Sequence, residues 1–287
     1  MLKITAVVIT KNEEVRIENC LKSLDFADEI LIIDDSADKT CEIAKKNSKV
    51  KAFKRTFDNY SGQRNFGIEK ASNDWILMFD ADEETESTFA LSIDQAIEKN
   101  GFDAFKFPRK NIIFGKWIKH AGWYPDFQTR LFKKGKAHYE RLVHEKLEVD
   151  GEIGELTTHI IHHNYDTITQ YLDKLQKYTT LEQEELLGTG YKFHWPDLIL
   201  KSNGEFLRRF FAEFGYKDGL HGLVLSILQG FYTLVVYLKV WEKEKFREEE
   251  DVLKETEKTL NNVSKEWKYW FLKTLPHSLL QKIKSKI

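Results

Sequence analysis

Short apolar runs recur through the first 80 residues, separated by segments with helical spacing. Such runs are typical of strands buried on both faces of a parallel sheet, because a half-exposed strand would alternate apolar and polar residues. Parallel strands need crossover connections, which the intervening helical segments supply. The predicted strands are Ile4–Ile9, Glu29–Ile33, Val50–Lys54 and Trp75–Phe79. The pattern predicts an α/β fold with a doubly wound, mostly parallel sheet.

The connections between these strands carry helix signals. Thr10-Lys-Asn-Glu13 has the residue types of a capping box, so we expect the first helix to begin there. Further helices are predicted from about Asp38 and over about Gln63–Ala71.

The periodicity divides the chain into two regions. Residues 1–165 form the first predicted domain, with a half of alternating strands and helices over about residues 1–100 and an irregular, strand-rich half over about residues 101–165. Beyond Thr167 the apolar residues recur with helical spacing. Residues 166–287 are therefore predicted to form a helical C-terminal region.

Acidic residues follow two of the predicted strands. Asp34 and Asp35 end the second strand, and Asp80 and Asp82 follow the fourth. Ligands of doubly wound sheets bind at the carboxyl ends of strands. Where a strand breaks into a turn, two such carboxylates can converge on Mg²⁺ or Mn²⁺, which would neutralise a diphosphate leaving group. The alternative is that the acidic run Asp82–Glu84 only caps the next helix.

Composition excludes several function classes. The formal net charge of −2 lacks the basic surplus of nucleic-acid-binding proteins, so no nucleic-acid partner is expected. Cys20 and Cys41 show no metal-ligand spacing and are predicted to be reduced thiols. The histidines at 159, 162 and 163 lack cysteine partners and helical ligand spacing, so zinc is not predicted. No secretory signal opens the chain, which indicates a cytoplasmic protein.

Two segments of the C-terminal region have the composition of membrane-contacting helices. Leu220–Leu238 has no formally charged side chain, and a membrane-spanning helix, a buried core helix and an interfacial helix all fit it. After a predicted mixed-charge helix over Trp241–Leu260, the tail Ser264–Ile287 combines six lysines with clustered aromatic residues. This tail is typical of a membrane-surface anchor, and the alternative is a helix that packs its aromatic residues on the protein.

Several segments, in this order, resemble inverting family 2 glycosyltransferases of the GT-A fold. In the first hundred residues these are Val7–Glu14, Ala27–Asp34, Gln63–Phe66 and Trp75–Glu83. Further along they are Phe107–Asn111, Gly122–Asp126, Arg130–Phe132 and Val143–Leu147. The set is similar to the bacterial branch that contains lipopolysaccharide inner-core heptose β-1,4-glucosyltransferases, and the resemblance covers roughly the first 240 residues.

The resemblance implies a site for a UDP-sugar, with glucose as the first candidate for the sugar. Thr10 and Glu13 would contact the uracil and the ribose, and Arg64 would lie against the base or the phosphates. Asp34 or Asp35 would hold the uracil. The loop after these aspartates is one residue shorter than the usual family loop and has no glycine, which leaves the choice between them open.

The resemblance also implies a metal site and a catalytic base. Asp80 would reach the ribose or the metal, Asp82 would be the main ligand of Mg²⁺ or Mn²⁺, and His144 would be a further ligand. Asp126 would be the base that deprotonates the acceptor hydroxyl, and Arg130 would steady that base or the diphosphate.

The expected acceptor is a lipopolysaccharide-core glycan or another lipid-linked glycan, so we expect a peripheral protein on the cytoplasmic face of the inner membrane. Two alternatives stay open. A nucleotidyltransferase has a similar fold but usually begins with a glycine-rich loop, which Thr10–Glu13 lacks. A catalytically inactive, membrane-associated sugar-binding protein would have lost some of the acidic and basic site residues, and here all are present.

Overall fold

The computed structural model describes residues 3–99, 101–140 and 146–274. The chain forms two compact units. The first unit comprises Met1–Ile112 and Tyr124–Asn164, and the second comprises Ile113–Trp123 and Tyr165–Ile287.

The first unit begins with four parallel strands in the order β3-β2-β1-β4. The strands are β1 (Ile4–Thr10), β2 (Glu29–Asp34), β3 (Val50–Lys54) and β4 (Trp75–Asp80). They are connected by α1 (Ile17–Ser23), the short α2 (Thr40–Ala44) and α3 (Tyr60–Lys70). All four predicted strands are confirmed, each within one residue of its expected end.

The sheet continues beyond β4 as the path β8-β6-β12-β5, with β11 pairing with β6. The β4–β8, β8–β6 and β12–β5 pairs are antiparallel. The elements are β5 (Glu83–Thr85), α4 (Phe89–Glu98), β6 (Ala104–Ile113), β8 (Asp126–Lys133), β11 (Ile153–Glu155) and β12 (Ile160–Tyr165). A separate hairpin consists of β9 (Ala137–Glu140) and β10 (Lys146–Val149), and β7 (Lys116–Trp117) lies in the second unit.

Both faces of the parallel strands are covered, as their continuous apolar sequence predicts. Val8 belongs to a core that includes Cys20 of α1 and Phe89 of α4, whereas Val7 lies in the core on the α3 side. Helix α3 approaches β1 closely at Gly67, where an added Cβ would lie 2.3 Å from Val7 Cγ1. A glycine is therefore required for this contact.

The strand order reverses direction at β1, because β2 and β3 lie on one side of it and β4 on the other. In doubly wound sheets such a switch point opens a crevice at the carboxyl ends of the strands. Thr10 ends β1 and Asp80 ends β4, so we expect a ligand site beyond these two residues.

The second unit is mainly helical, with α5 (Ile168–Gly188), α6 (Pro196–Leu207), α7 (Leu220–Lys243) and α8 (Val252–Thr274). Thr167 and Gln170 form a capping box at the start of α5. The segment 113–123 belongs to this unit because Asp218 accepts hydrogen bonds from the backbone N–H groups of Lys119 (3.1 Å) and His120 (2.8 Å). The α/β class and the C-terminal helical extension are both confirmed.

Two local predictions were wrong. The first helix begins at Ile17 rather than near Thr10, because the N–H groups of Asn12 and Glu13 donate to Ser36 Oγ in the loop after β2 and to Thr40 Oγ1 at the start of α2, each at 2.8 Å.

The second wrong prediction is a single helix over Trp241–Leu260. Helix α7 ends at Lys243 and α8 begins at Val252. Lys245, Phe246 and Asp251 between them adopt positive φ angles, which interrupt a right-handed helix.

Candidate active site

Thr10, Asp34 and Asp80 end three neighbouring parallel strands at one edge of the sheet. Thr10 is in register with Asp34, and Ile9 is in register with Asp80. Thr10 Oγ1 and Asp34 Oδ2 are buried and have no hydrogen-bond partner among the described residues. Buried polar atoms without a hydrogen-bond partner are costly and rare. Their presence at the carboxyl ends of β1 and β2 therefore indicates a place for polar groups of a ligand.

The two neighbouring aspartates have different environments. Asp34 is buried, and its Oδ1 accepts a hydrogen bond from the Ser36 backbone N–H at 3.1 Å. Asp35 instead pairs with Lys11 at 2.7 Å, and the hydrogen bond from this lysine lowers the pKa of Asp35. The half-buried Glu13 lies in the loop after β1, two residues beyond Lys11.

Two buried arginines converge on Asp80. Arg64 Nη2 lies 2.7 Å from Asp80 Oδ1, and Arg130 Nη2 lies 2.7 Å from Asp80 Oδ2. Burial alone would raise the pKa of Asp80, but the charges of the two arginines outweigh it and lower the pKa far below its usual value. Both carboxylate oxygens of Asp80 are thus engaged by cations that a diphosphate would also attract.

Glu83 is the fourth member of the cluster formed by Arg64, Arg130 and Asp80. It is fully buried, accepts a hydrogen bond from the Asp80 backbone N–H at 3.0 Å and lies 2.7 Å from Arg130 Nη2. Burial would lower the pKa of Arg130, but Glu83 and Asp80 raise it well above its usual value. Arg130 therefore stays charged in an enclosed position. Among the described residues, Arg130 forms its ion pairs with Asp80 and Glu83 rather than with the predicted base, Asp126.

Asp82 lies in the turn between β4 and β5. Its Oδ2 is 3.6 Å from His162 Nε2, and its backbone carbonyl accepts a hydrogen bond from His163 N–H at 3.0 Å. Glu83 and Glu84 continue into β5, so this acidic run does not cap a helix. Among the described residues, no group of three or more His, Cys, Asp or Glu side chains is arranged to hold a metal ion. His144 lies outside the described residues.

Asp126 is the first residue of β8 and is held by three donors from neighbouring strand positions. Arg109 donates from Nε at 2.8 Å and lies 2.7 Å away through Nη2, Gln128 donates at 2.8 Å and Asn111 at 3.2 Å. Burial would raise the pKa of Asp126, but the charge of Arg109 and these hydrogen bonds lower it. The carboxylate is ionised and oriented, with 25% of its side chain exposed.

Four residues of this arrangement were not predicted as site residues: Glu83, Arg109, Asn111 and His162. They connect the predicted residues to each other, since Glu83 lies 2.7 Å from Arg130 and 3.7 Å from Arg109. Glu83 and Asn111 are the final residues of two segments that carry the family resemblance. This resemblance is the sequence signal that could have identified them as site residues. Their side-chain partners come from distant strands, and no local pattern identifies them.

Residues 5–144 match the family model described as Glycosyl transferase family 2. This stretch contains the carboxyl ends of β1, β2 and β4 and the acidic and basic residues around Asp80. The protein is therefore a glycosyltransferase with an α/β catalytic domain of GT-A type. Residues 5–144 form a family 2 glycosyltransferase domain. The family match favours sugar transfer over the nucleotidyltransferase alternative.

Relatives extend beyond the matched domain. The chain is 23% identical over 251 residues to the lipopolysaccharide core biosynthesis glycosyltransferase LpsC of Rhizobium meliloti, covering 84% of this chain and 93% of the relative. It is 28% identical over 257 residues to an uncharacterized glycosyltransferase of Rickettsia typhi, covering 84% and 88%. Among solved structures, S. aureus TarS 1–349 in complex with UDP-GlcNAc is 16% identical with a TM-score of 0.45, covering 85% of this chain and 92% of that one.

Proposed function

We propose that this glycosyltransferase moves a sugar, with glucose as the first candidate, from a UDP-sugar to a lipopolysaccharide-core or other lipid-linked glycan, with inversion at the anomeric carbon. The observation that carries the proposal is the arrangement of side chains at the carboxyl ends of β1, β2 and β4. There Asp80 pairs with two buried arginines, and Thr10 Oγ1 and Asp34 Oδ2 are buried without a hydrogen-bond partner among the described residues.

The chemistry of this edge supports a uridine diphosphate. The pairing face of uracil offers one N–H donor between two carbonyl acceptors, which complements the Asp34 carboxylate and the Thr10 hydroxyl. Glu13 would contact the ribose. Because Asp35 is paired with Lys11, we assign the base contact to Asp34.

Arg64 and Arg130 would bind the diphosphate. Both guanidinium groups are almost fully buried and already oriented by Asp80, so little side-chain entropy is lost when they meet phosphate oxygens. Asp80 would act mainly by orienting these arginines rather than by binding metal itself, since each of its oxygens accepts from an arginine at 2.7 Å.

The residues also fit a divalent cation, with Asp82 as the ligand. Its carboxylate is partly exposed beside His162 at the end of β4, and an oxygen ligand of this kind suits Mg²⁺ or Mn²⁺. His144 is assigned as a further ligand on the family resemblance. When bound, the cation would neutralise charge on the departing diphosphate.

Asp126 would be the general base. The acceptor hydroxyl oxygen attacks the anomeric carbon as its proton moves to an Asp126 carboxylate oxygen. The bond from that carbon to the diphosphate breaks, and its electron pair leaves on UDP. The hydrogen bonds from Arg109, Gln128 and Asn111 orient the carboxylate for this transfer, which contributes about 10²–10⁴-fold to the rate in comparable sites.

A lipid-linked acceptor is supported by the relative from Rhizobium meliloti, whose name assigns it to lipopolysaccharide core biosynthesis. Helix α7 gives independent support for a membrane surface, because four apolar side chains are exposed along one side of it. Leu220, Ile227, Phe231 and Leu238 are exposed, and their spacing of seven, four and seven residues puts them on one line.

The opposite side of α7 packs within the second unit. Gln229 donates a hydrogen bond to Tyr171 Oη at 2.9 Å, and Lys239 donates to the Gln176 carbonyl at 2.7 Å. By length and composition α7 could cross a membrane, a criterion that core helices also meet. Helices with one packed side and one apolar outer side suit an interfacial position. We therefore propose peripheral attachment to the cytoplasmic face of the inner membrane, with α7 and the tail from Ser264 as the contacts.

The test is transfer from a panel of radiolabelled nucleotide sugars to lipid-linked core oligosaccharides, followed by NMR of the product linkage. The proposal predicts label in the lipid fraction only with a UDP-sugar, with inverted anomeric configuration. Transfer from another nucleotide, or retention of configuration, would contradict it. Donor binding without transfer to any acceptor would favour the inactive sugar-binding alternative.

A further inference from the structure

Glu83, the first residue of β5, lies between two arginines that have different partners. Its Oε1 is 2.7 Å from Arg130 Nη2 and 3.7 Å from Arg109 Nη1. Arg130 Nη2 also lies 2.7 Å from Asp80 Oδ2, and Arg109 Nη2 lies 2.7 Å from Asp126 Oδ2. One carboxylate oxygen is therefore the common neighbour of an arginine proposed to bind the diphosphate and of the arginine that holds the proposed base.

The Glu83 carboxylate is fixed in place. Its residue has no exposed surface, and its Oε2 accepts a hydrogen bond from the Asp80 backbone N–H at 3.0 Å. Its other oxygen is engaged by Arg130, which is 5% exposed. A charge buried to this extent is costly unless it is paired, so the carboxylate and the guanidinium hold each other in position.

The distance between the two arginines matters for an inverting displacement. In such a reaction the acceptor oxygen and the departing diphosphate lie on opposite sides of the anomeric carbon. A misplacement of about 1 Å can reduce the rate by about 10²-fold, because the reacting atoms must be close and aligned. The base on Arg109 must therefore be placed relative to the diphosphate on Arg130, which requires a connection between the two arginines.

We propose that Glu83 is a positioning residue for sugar transfer, whose carboxylate holds Arg130 and Arg109 at a fixed separation and so places the diphosphate relative to the Asp126 base. The inference rests on the proposed function and adds to it a residue that acts through two other side chains.

A purely structural role of Glu83 predicts a different result from a positioning role. In Glu83→Gln, Arg130 keeps its pair with Asp80, and one negative charge is removed from the neighbourhood of the proposed phosphate site. UDP binding should therefore be unchanged or tighter, whereas transfer should be slower. If Glu83 only supported the structure of the donor site, its loss would weaken UDP binding as well.

The first test compares Glu83→Gln with Glu84→Gln in the full chain. Glu84 is a matched control, since it is the next residue of β5 and pairs with His163 at 3.1 Å. We expect Glu83→Gln to lower kcat at saturating donor by about 10–100-fold without weakening UDP binding in calorimetry. Glu84→Gln should change neither quantity.

Two results of this comparison would overturn the inference. One is an unchanged kcat in Glu83→Gln protein that melts cooperatively, and the other is a parallel loss of UDP binding. Calorimetry with Mn²⁺ checks the adjacent Asp82. If Mn²⁺ strengthens UDP binding in wild type but not in Glu83→Gln, the fall in kcat belongs to Asp82 and the inference also fails.

The second test measures whether Arg109 and Arg130 act together. Arg109→Lys and Arg130→Lys keep the charge but lose the planar geometry of the guanidinium group. If one carboxylate sets both positions, the second replacement costs less once the first has been made. The fall in kcat of the double variant should then be smaller than the product of the two single falls, by about 10-fold. In Glu83→Gln protein the two falls should multiply.

The arginine variants also decide the matter if Glu83→Gln does not fold, because the comparison can be made with Glu83 present. Falls in kcat that simply multiply in that protein would overturn the role of Glu83 and leave the proposed function intact. Wild-type protein that binds UDP-sugars but transfers no sugar, or that binds none, would instead overturn the proposed function, and the inference would fail with it.

Discussion

Arg130 of β8 reaches across the antiparallel β4–β8 pair to Asp80, with Arg130 Nη2 2.7 Å from Asp80 Oδ2. The same nitrogen lies 2.7 Å from Glu83 Oε1. This contact joins the end of the parallel half of the sheet to its antiparallel half. It therefore links the proposed donor-binding residues to the strand that begins with the proposed base, Asp126.

Asp80→Asn should destabilise the protein, since it leaves Arg64 and Arg130 buried without their shared carboxylate. Removal of one partner from a buried ion pair typically costs roughly 3–5 kcal/mol. Urea unfolding at pH 7 measures the change. The control is Asp35→Asn, whose carboxylate forms an exposed pair with Lys11 and should have little effect. Equal stability of Asp80→Asn and wild type would show that the arginine cluster does not depend on Asp80.

Asp126→Asn should reduce the rate of transfer by about 10²–10⁴-fold and leave UDP binding nearly unchanged. The amide keeps the shape of the side chain but cannot take the proton of the acceptor hydroxyl. Steady-state transfer and calorimetric UDP binding measure the two effects separately. The control Asp150→Asn changes an exposed carboxylate and should alter neither. Loss of UDP binding in Asp126→Asn would refute its assignment as the base.

Glu29 provides a pH dependence of stability. Burial would raise its pKa, but hydrogen bonds from Lys51, Ser72 and Thr5 lower it from 4.5 to about 2. A lowered folded-state pKa stabilises the protein above the unfolded pKa, and this contribution is lost as the pH falls from about 4.5 to about 2. The shift corresponds to about 3 kcal/mol at neutral pH.

The measurement is the difference in unfolding free energy between wild type and Glu29→Gln as a function of pH. The difference should be large at pH 6 and should shrink steadily as the pH is lowered through that range. A difference that is independent of pH would mean that the Glu29 carboxylate is not stabilised in the folded protein.

The apolar stripe of α7 should contribute to membrane attachment. Phe231→Glu puts a charge in the middle of the stripe and is expected to reduce sedimentation with anionic vesicles, since burial of a charge in lipid is costly. Ser48→Glu adds the same charge at an exposed position of the first unit and serves as the control. Unchanged sedimentation of Phe231→Glu would remove α7 from the membrane contact.

Much of the fold follows from the sequence because the parallel strands are buried on both faces and leave continuous apolar runs. The carboxyl ends of those runs also identified Asp34 and Asp80 as edge residues. The expected helix start is displaced because the N–H groups of Asn12 and Glu13 donate hydrogen bonds to the hydroxyl oxygens of Ser36 and Thr40. Such contacts join residues 24 and 27 positions apart, so local helix signals do not contain them.

The site was predictable only in part, for the same reason. Glu83 is one member of an acidic run, and its importance comes from Arg130 and Arg109 on two other strands. Asn111 and His162 are 51 residues apart and meet because β6 and β12 are neighbours in the sheet. Strand order and register, which sequence periodicity leaves open, bring these residues together.

Calorimetric binding of UDP with and without Mn²⁺ tests whether the carboxyl ends of β1, β2 and β4 form a UDP-sugar site. We expect UDP binding that is strengthened by Mn²⁺, with this strengthening absent in Asp82→Ala and the metal-independent part retained. Absence of UDP binding under both conditions, in protein that melts cooperatively, would contradict the assignment of the β1–β4 edge as a UDP-sugar site.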